Sequence, residues 1–398
     1  MIIVNKKEDC CACGACAQIC PKQCISFQND NEGFAYAKAN GNNCINCGLC
    51  EKVCPVLNHF EPRKPHNTLA AINKNEVIRI SSSSGGIFYL LAEKTIKEKG
   101  VVFGARYDEN WQVILDYADS LDKVRSFMGS KYVQASVGSC YKQCKLFLEE
   151  GRKVLFTGTP CQIAGLNLFL RKTYKNLLTV DFVCHGVPSP NIWSLYLDEI
   201  IGGDYTRIKD INFRNKQRGW KSFRLVVESS SSDSPIISES HSKNIYMKGF
   251  LNNLILRPSC YKCRVKSGCS HSDITIADFW GIQKVNPSMY DNKGTSMILC
   301  YTTKGVNYLN SCDFCYSESE YTLAIKMNPA IEKCSVCHPK RESFFSNFDL
   351  SYSLSQQLNR ALYVPLIKRL ADDCIRIVYN LFLSLRGALK RQTKLLNK

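Results

Sequence analysis

Hydrophobic runs alternate with amphipathic stretches along the middle of the chain. From Thr68, "TLAAIN" predicts a strand, "SSSSGGIFYLLAEKTIKEKG" a turn and a helix, and "VVFGARY" another strand. "GRKVLFTGTPCQIAGLNLFL" repeats the strand, turn and helix, and "LLTVDFVCHG" is a further buried strand. This alternation predicts α/β architecture, with functional groups at the ends of the strands.

The pattern changes toward the C-terminus. Residues from about 205 to 260 read as β-rich, as in "FRLVVES", and "SSSSDSPIISES" is predicted to be a flexible loop tip. "SDITIADFWGI" predicts a strand and a turn. From about Ser353 the chain is mostly helical and basic, and its longest uncharged stretch, "IVYNLFLSL", falls short of the about 20 residues that span a bilayer. Such a helix can lie on a membrane surface, with packing on its own domain or a partner as the alternative.

The first 60 residues carry a different signal, the spacing of their cysteines. Cys10, Cys13, Cys16 and Cys20 precede Pro21 in the run C-x-x-C-x-x-C-x-x-x-C-P, and "CINCGLCEKVCP" repeats it around a predicted hairpin. Bacterial dicluster ferredoxins have this spacing, and the fourth cysteine of each run ligates the cluster of the other run. The predicted ligand sets are Cys10, Cys13, Cys16 and Cys54 for one [4Fe-4S] cluster, and Cys44, Cys47, Cys50 and Cys20 for the other.

Composition is consistent with a reducing compartment. The 398 residues are 45% apolar, and no long apolar segment precedes the first cysteine run, so we expect a cytoplasmic protein in which disulfides are rare. The formal net charge is +17, and two or three clusters with their thiolates, at about −2 each, leave the protein basic. That excess could attract an acidic redox carrier, anionic lipid, a phosphorylated substrate or nucleic acid.

Later thiols follow successive predicted strands. Cys161 and Cys184 each follow a strand, and "RPSCYKCRVKSGC" adds Cys260, Cys263 and Cys269. Because thiols at strand ends can meet in space, we expect a third cluster. The turn "SSSSGG" before a helix also suits a phosphate or pyrophosphate, with a serine-rich capping loop as the alternative.

Six motifs, in order, resemble the coenzyme F420 hydrogenase/dehydrogenase beta-subunit family of flavin and iron–sulfur oxidoreductases. They run from about residue 65 to about 345 and are "SSSSGG", "MGSKYVQA", "VLFTGTPCQIAGL", "DFVCHGVPSP", "FRNKQRGW" and "SDITIADFWG".

The resemblance implies FAD in the α/β domain and a flavin-proximal [4Fe-4S] cluster. The implied flavin contacts are Ser83, Ser84, Gly85, Gly86, Ser130, Lys131, Thr157 and Thr159. The implied cluster ligands are Cys161, Cys184, Cys260 and Cys263, with Cys269 in reserve, and buried unliganded thiols are the alternative.

Two residues are catalytic candidates. His185 could donate a proton to reduced flavin or substrate, and Lys131 could stabilise negative charge on reduced flavin. A hydrogen-bonded structural histidine and a surface lysine are the alternatives. Arg214, Lys216 and Arg218 could meet an anionic substrate or remain solvated.

Some cysteines lie outside the predicted ligand sets. Cys11 and Cys24 are predicted to be small buried side chains. Cys312, Cys315, Cys334 and Cys337 form two C-x-x-C pairs separated by 18 residues, a spacing that resembles a zinc site. The family resemblance does not require these four thiols, so zinc is not part of the prediction.

The expected fold class is α+β, with a dicluster ferredoxin-like module, an α/β flavin-binding domain with a β-rich insertion, and a C-terminal helical tail. The expected boundaries are 1–60 for the ferredoxin-type domain, 65–150 and 151–350 for the two regions of the beta-subunit family, and 351–398 for the basic tail.

The expected function is that of a flavin- and iron–sulfur-dependent oxidoreductase. It would pass electrons between a ferredoxin or another redox carrier and a two-electron substrate, and the family name suggests a reduced deazaflavin coenzyme. The alternatives are a biosynthetic reductase of a polysaccharide-, sugar- or pigment-related intermediate, and an electron-transfer subunit that serves a catalytic partner subunit. The two ferredoxin-type runs argue against a nucleic-acid binder.

Overall fold

The computed structural model describes residues 1–363. Its first 60 residues contain α1 (Ala15–Ile19), β1 (Ile25–Asn29), β2 (Ala35–Ala39) and α2 (Leu49–Lys52). β1 and β2 pair antiparallel from Ile25↔Ala39, which confirms the hairpin predicted between the two cysteine runs. Three of the six residues buried in this small core are cysteines.

The strands between residues 61 and 363 form one large sheet and one small one. They are β3 (Asn67–Asn73), β4 (Val101–Tyr107), β5 (Val113–Ala118), β6 (Val154–Gly158), β7 (Leu177–Phe182), β8 (Ile208–Asn215), β9 (Arg224–Ser229), β10 (Ile237–Ser240), β11 (Ile274–Asp278), β12 (Ser296–Cys300) and β13 (Phe314–Glu318).

The helices of the same part of the chain cover both faces of the large sheet. They are α3 (Glu76–Ser81), α4 (Ile87–Lys97), α5 (Leu121–Arg125), α6 (Cys140–Glu149), α7 (Pro160–Leu170), α8 (Pro190–Ile201), α9 (Ile245–Leu251), α10 (Ile282–Val285), α11 (Thr303–Asn310), α12 (Tyr321–Met327), α13 (Arg341–Ser346) and α14 (Leu354–Leu362).

The large sheet is mixed, in the order β13-β3-β12-β11-β7-β6-β4-β5. Its centre, β11-β7-β6-β4, is parallel, whereas β5, β12 and β13 run antiparallel to their neighbours. The centre is covered on both faces, because Phe103 and Phe156 pack with α6 and α7 while Val102 and Leu155 pack with α4. The mixed α/β architecture is therefore confirmed, and the strands β3, β4, β6, β7 and β11 all end at the same edge, the carboxyl edge.

The β-rich insertion is also present, as the small sheet β10-β9-β8. One part of its prediction is wrong: "IISES" is not a loop tip, because Ile237–Ser240 forms β10 and pairs antiparallel with β9. Ile236 and Ile237 pack against the core that β8 and β9 share with α8 and α9. The edge strand β10 is difficult to recognise in the sequence because a serine-rich run, which is typical of loops, precedes it directly.

The predicted C-terminal tail is described only at its beginning. Ser353 and Gln356 form a capping box at the start of α14, and the rest of the tail, including "IVYNLFLSL", lies outside the described residues. In the described part of the chain, no helix has the length and apolar character to cross a membrane.

Two buried cations, Arg214 and Lys216, connect the small sheet to the carboxyl edge of the large sheet through hydrogen bonds. Arg214 of β8 donates to both carboxylate oxygens of Asp278 on β11, at 2.8 and 3.0 Å, and Trp220 donates to the same carboxylate at 2.7 Å. Lys216 donates to three backbone carbonyl oxygens, at 2.7 to 2.9 Å. Arg214 and Lys216 are thus neither solvated nor open to an anionic substrate, whereas Arg218 is exposed.

We expect Asp278→Asn to destabilise the fold by about 3–5 kcal/mol, because it leaves the Arg214 guanidinium buried without its counter-ion. Asp119→Asn is the matched control, since Asp119 pairs with Lys123 in solvent and its loss costs about 0.2–1 kcal/mol. Urea unfolding of the full chain measures both, and equal midpoints for the two variants would contradict the prediction.

We expect Gly85→Ala to cost about 1–3 kcal/mol through overpacking. A Cβ at Gly85 would lie 2.4 Å from the carbonyl oxygen of Ala71 and 2.7 Å from the backbone nitrogen of Ser296. Gly41→Ala is the control, because a Cβ there would meet no atom within 4 Å. Urea unfolding of both variants checks the difference in stability. An unfolding midpoint of Gly85→Ala equal to that of Gly41→Ala would contradict the prediction and show that β3 and β12 can move apart at no cost.

Candidate functional site

A pocket in the N-terminal module is lined by the four cysteines of one predicted ligand set. Cys44, Cys47 and Cys50 of the second run line it together with Cys20 of the first run. Cys24 also lines the pocket, with its sulfur 3.4 Å from the sulfur of Cys20. We call Cys20, Cys44, Cys47 and Cys50 the outer thiol group, and these four thiols fit a [4Fe-4S] cluster.

The other predicted set lies deeper, and we call it the inner thiol group: Cys10, Cys13, Cys16 and Cys54. Burial raises the pKa of the Cys16 thiol to about 12, with the neighbouring thiols of Cys10 and Cys54 adding to the effect. Cys54 therefore lies with the first run although it belongs to the second, which is the arrangement that crossed ligation requires. Because iron binds thiolates, assembly of a cluster here would release protons.

The two groups differ in exposure. In the outer group Cys47 is exposed, and the neighbouring Ile45 is 57% exposed. In the inner group Cys10, Cys13 and Cys16 are buried. The outer group is therefore the more accessible of the two, because one of its ligands is open to solvent while three of the four inner ligands are covered.

The inner group packs directly on the large domain. A Cβ at Gly165 of α7 would lie 3.0 Å from the Sγ of Cys13, so the backbone of α7 contacts this thiol. Gln18 of α1 accepts hydrogen bonds from the backbone N–H groups of Tyr141 and Lys142, at 2.9 and 3.2 Å. These contacts fix the orientation of the module on α6 and α7.

A cleft between the module and the carboxyl edge of the large sheet is lined by five thiols. They are Cys11, Cys161, Cys184, Cys260 and Cys263. The last four are the predicted ligands of the third cluster, and the structure brings all four together. We call all five the cleft thiols.

The cleft thiols lie on different elements of the fold. Cys161 is the second residue of α7, directly after β6, and Cys184 lies two residues beyond β7. Cys260 belongs to the 3-10 helix Pro258–Lys262, and Cys263 follows it. Burial raises the pKa of Cys184 to about 11 and that of Cys263 to about 12, while the nearby Lys266 ammonium lowers both. In both cases the thiol of Cys161 adds to the rise, as expected for neighbouring sulfurs.

Cys11 is the thiol that sequence reasoning missed. The sequence predicts only a small buried side chain, yet Cys11 faces Cys161 in the cleft, and the hydrogen bond that the Cys161 thiol donates to Cys11 raises the pKa of Cys161. Its position beside Cys10 in the sequence means that it joins the inner group to the cleft. No spacing rule could reveal this, because the contact depends on how the module docks.

The remaining cysteines lie elsewhere. Cys269 is buried beside Arg63 and does not line the cleft. Cys312 donates to the carbonyl oxygen of Tyr308, whereas Cys334 donates to that of Cys263. The four cysteines with zinc-like spacing thus contact different parts of the fold, and among residues 1–363 no three His, Cys, Asp or Glu side chains close around a single ion.

The predicted flavin contacts are spread along the carboxyl edge. Residues 83–86 lie between β3 and α4, residues 130–131 follow β4 and β5, and residues 157–159 end β6. Ser83 Oγ accepts hydrogen bonds from the N–H and the hydroxyl of Ser130, at 2.7 and 2.9 Å. The first two segments are therefore in contact.

Several of these groups already have partners within the chain. The hydroxyl of Ser84 donates to Thr295 and that of Thr157 to Phe103, each to the carbonyl oxygen. The N–H of Gly85 donates to the Ser296 hydroxyl, and the Thr159 hydroxyl lies 3.2 Å from the sulfur of Cys161. Gly86, at φ +83°, begins α4 and needs the freedom of glycine there.

Lys131 is half-buried at the same edge. Its ammonium donates to the carbonyl oxygens of Met128 and Gly129, and it lies 5.5 Å from the ring centre of Tyr107. Burial lowers the pKa of Lys131 to about 8, and the charge of Asp210 partly opposes this. Its positive charge is therefore present at neutral pH and is lost as the pH rises through about 8.

His185 lines the cleft next to Cys184. Its ring packs edge-on against Phe250 with the centroids 5.1 Å apart, and burial lowers its pKa. Its Nε2 is buried, with no hydrogen-bond partner among the described residues. The ring is held by packing and by the neighbouring Asn253 side chain, which partly opposes the fall in its pKa.

Comparison with known proteins matches both halves of this site. Residues 9–58 match the 4Fe-4S dicluster domain, and residues 151–317 match the C-terminal part of the coenzyme F420 hydrogenase/dehydrogenase beta-subunit family. A solved chain of the F420-reducing [NiFe] hydrogenase complex from Methanosarcina barkeri, studied as a xenon derivative, is 14% identical, with a TM-score of 0.45 over 73% of this chain and 95% of that chain. No curated protein matches the chain.

The two matched segments contain the three thiol groups. All eight cysteines of the inner and outer groups lie within 9–58, and four of the five cleft thiols lie within 151–317. Both resemblances drawn from the sequence are thus confirmed. The chain is thus similar to a 4Fe-4S dicluster domain over residues 9–58 and to the C-terminal region of the coenzyme F420 hydrogenase/dehydrogenase beta subunit over residues 151–317.

Proposed function

We propose that this protein is an iron–sulfur flavoprotein oxidoreductase that passes electrons between a ferredoxin-like carrier and a two-electron substrate. The observation that carries the proposal is the order of the three thiol groups. The outer group includes the exposed Cys47, three of the four thiols of the inner group are buried, and the cleft thiols lie at the carboxyl edge of the large sheet. Each donor set has at least four thiols, as a [4Fe-4S] cluster requires.

The carrier docks at the outer group in this proposal. Ile45 and Cys47 are exposed there, and Lys22 and Lys52 on the same module are exposed cations that suit an acidic ferredoxin. A catalytic partner subunit at the same surface is the alternative.

FAD would convert single-electron supply into two-electron chemistry. The residues that would hold it lie on the carboxyl edge, where ligands of open α/β sheets bind. Ser83 supports this placement, because its oxygen accepts two hydrogen bonds and its own proton is left for an anionic ligand. The first turn of α4 and the ammonium of Lys131 supply further donors near it.

The substrate we propose to test first is a reduced deazaflavin coenzyme, following the family description. The domain boundaries we propose are 1–60, 65–150, 151–350 and 351–398, with the catalytic site between the first three. His185 is the candidate proton donor because it lines the cleft.

Metal analysis tests the number of clusters. Anaerobically purified protein is expected to contain about 12 iron and 12 acid-labile sulfide per chain, with one FAD, as three [4Fe-4S] clusters require. Cys161→Ser is expected to reduce the iron content to about 8, because it removes a cleft ligand and leaves the dicluster module intact.

Cys312→Ser is the matched control and should retain about 12 iron, since Cys312 packs against Tyr308 away from the cleft. About 8 iron and no flavin in the unsubstituted protein, even after reconstitution, would contradict the proposal. The chain would then be a dicluster electron carrier whose catalyst is another protein.

Lys131 predicts a pH dependence of FAD affinity. Its positive charge disappears as the pH rises through about 8, so FAD should bind more weakly at pH 9 than at pH 7. Loss of a charged hydrogen bond weakens binding by about 1.5–3 kcal/mol, or roughly tenfold to 100-fold in Kd.

Free and bound FAD, separated by ultrafiltration, give Kd at both pH values. Lys131→Arg keeps its charge and should bind FAD equally well at pH 7 and pH 9, whereas Lys131→Met should be weak at both. A wild-type pH trend that persists in Lys131→Met would exclude this role for the lysine.

A further inference from the structure

Arg257 is a fully buried cation between the module and the cleft. Its side chain is 0% exposed, and it lines the cleft beside Cys161 and Cys260. It donates to the carbonyl oxygen of Cys10 at 2.8 Å, to that of Ala35 at 2.9 Å and to the side-chain oxygen of Gln134 at 3.0 Å. All three acceptors are neutral.

The other buried arginines among residues 1–363 each have an acidic partner. Arg79 pairs with Asp291, Arg214 with Asp278, and Arg341 with Glu32. Arg257 has no carboxylate partner in this part of the chain. Glu8 lines the same cleft, but it is paired with Lys262 at 2.7 Å.

An unpaired buried arginine is costly, because a guanidinium does not lose its proton and burying an isolated charge is strongly unfavourable. Carbonyl dipoles and the ring of Tyr36, whose centre lies 4.4 Å from the guanidinium carbon, offset part of this cost. A full negative charge near Arg257 would offset the rest.

Thiolate sulfurs are the groups that can supply this charge. Arg257 contacts the backbone of Cys10, which belongs to the inner group, and it lines the cleft with Cys161 and Cys260. Each [4Fe-4S] cluster with four thiolates carries about −2 when oxidised and gains a further negative charge on reduction.

We propose that Arg257 is the shared cationic partner of two iron–sulfur clusters, one on the inner thiol group and one on the cleft thiols. It acts as a positioning and charge-balancing residue that favours the reduced state of both, because a nearby positive charge stabilises the added electron. This inference rests on the proposed function, in which both thiol groups hold clusters.

Arg257→Met tests the charge, and Arg257→Lys tests whether charge alone is sufficient. Each cluster is followed by an EPR-monitored redox titration under anaerobic conditions. In Arg257→Met we expect the equilibrium constant for reduction of the inner and cleft clusters to fall by about tenfold or more. A tenfold fall corresponds to a shift of about −59 mV in the one-electron reduction potential.

The outer cluster is an internal control, because Arg257 does not line its pocket and its potential should not change. Arg257→Lys keeps a positive charge, so its inner and cleft clusters should have potentials close to those of the unsubstituted protein. Gln134→Leu removes one hydrogen-bond acceptor of Arg257 and leaves the charge in place, so it should affect stability more than potential.

Other outcomes overturn the inference. Unchanged potentials in Arg257→Met, or equal shifts in Arg257→Met and Gln134→Leu, would make Arg257 a structural residue only, while the iron content would still support the proposed function. If the unsubstituted protein holds about 8 iron, the cleft cluster is absent. The shared role then fails, and the inner cluster alone reports whether Arg257 affects a potential.

Discussion

The order of the thiol groups depends on how the loop-rich N-terminal module satisfies its buried backbone. This module has one short hairpin and two short helices, so few of its carbonyl groups have partners in regular structure. Buried carbonyl and N–H groups must nevertheless be hydrogen-bonded. The large domain supplies the missing donors, since Arg257 and Gln134 donate to the carbonyl oxygens of Cys10 and Cys11 and Ser189 donates to that of Glu32.

A buried ion pair ties the same interface to the C-terminal part of the fold. Arg341 of α13 pairs with Glu32 in the hairpin turn, and it also donates to the carbonyl oxygen of Leu256, one residue before Arg257. Lys7 pairs with Asp30 and Glu32 on the outer side. The hairpin is therefore fixed from both sides, and Ala35, whose carbonyl oxygen Arg257 contacts, is held in place with it.

The sequence predicts whatever depends on local spacing. The two cysteine runs, the hairpin between them and the central strands and helices follow from spacing and periodicity, and the structure contains them. Strands β12 and β13 have no turn signature that reveals their antiparallel pairing with β3, and β10 is hidden behind a serine run. Cys11 and Arg257 look ordinary in sequence, because their importance comes from contacts between segments far apart in the chain.

Helix α7 shows how a single local pattern connects the two parts of the site. Cys161 and Gly165 are four residues apart, so they lie on the same face of the helix, one turn from each other. Cys161 faces the cleft, while Gly165 packs against Cys13 of the inner group so closely that any Cβ would meet its sulfur at 3.0 Å. A residue larger than glycine at 165 would push the module away from the cleft. The segment "CQIAG" therefore sets the separation between two thiol groups, and this is a constraint on electron transfer that neither cysteine run contains by itself.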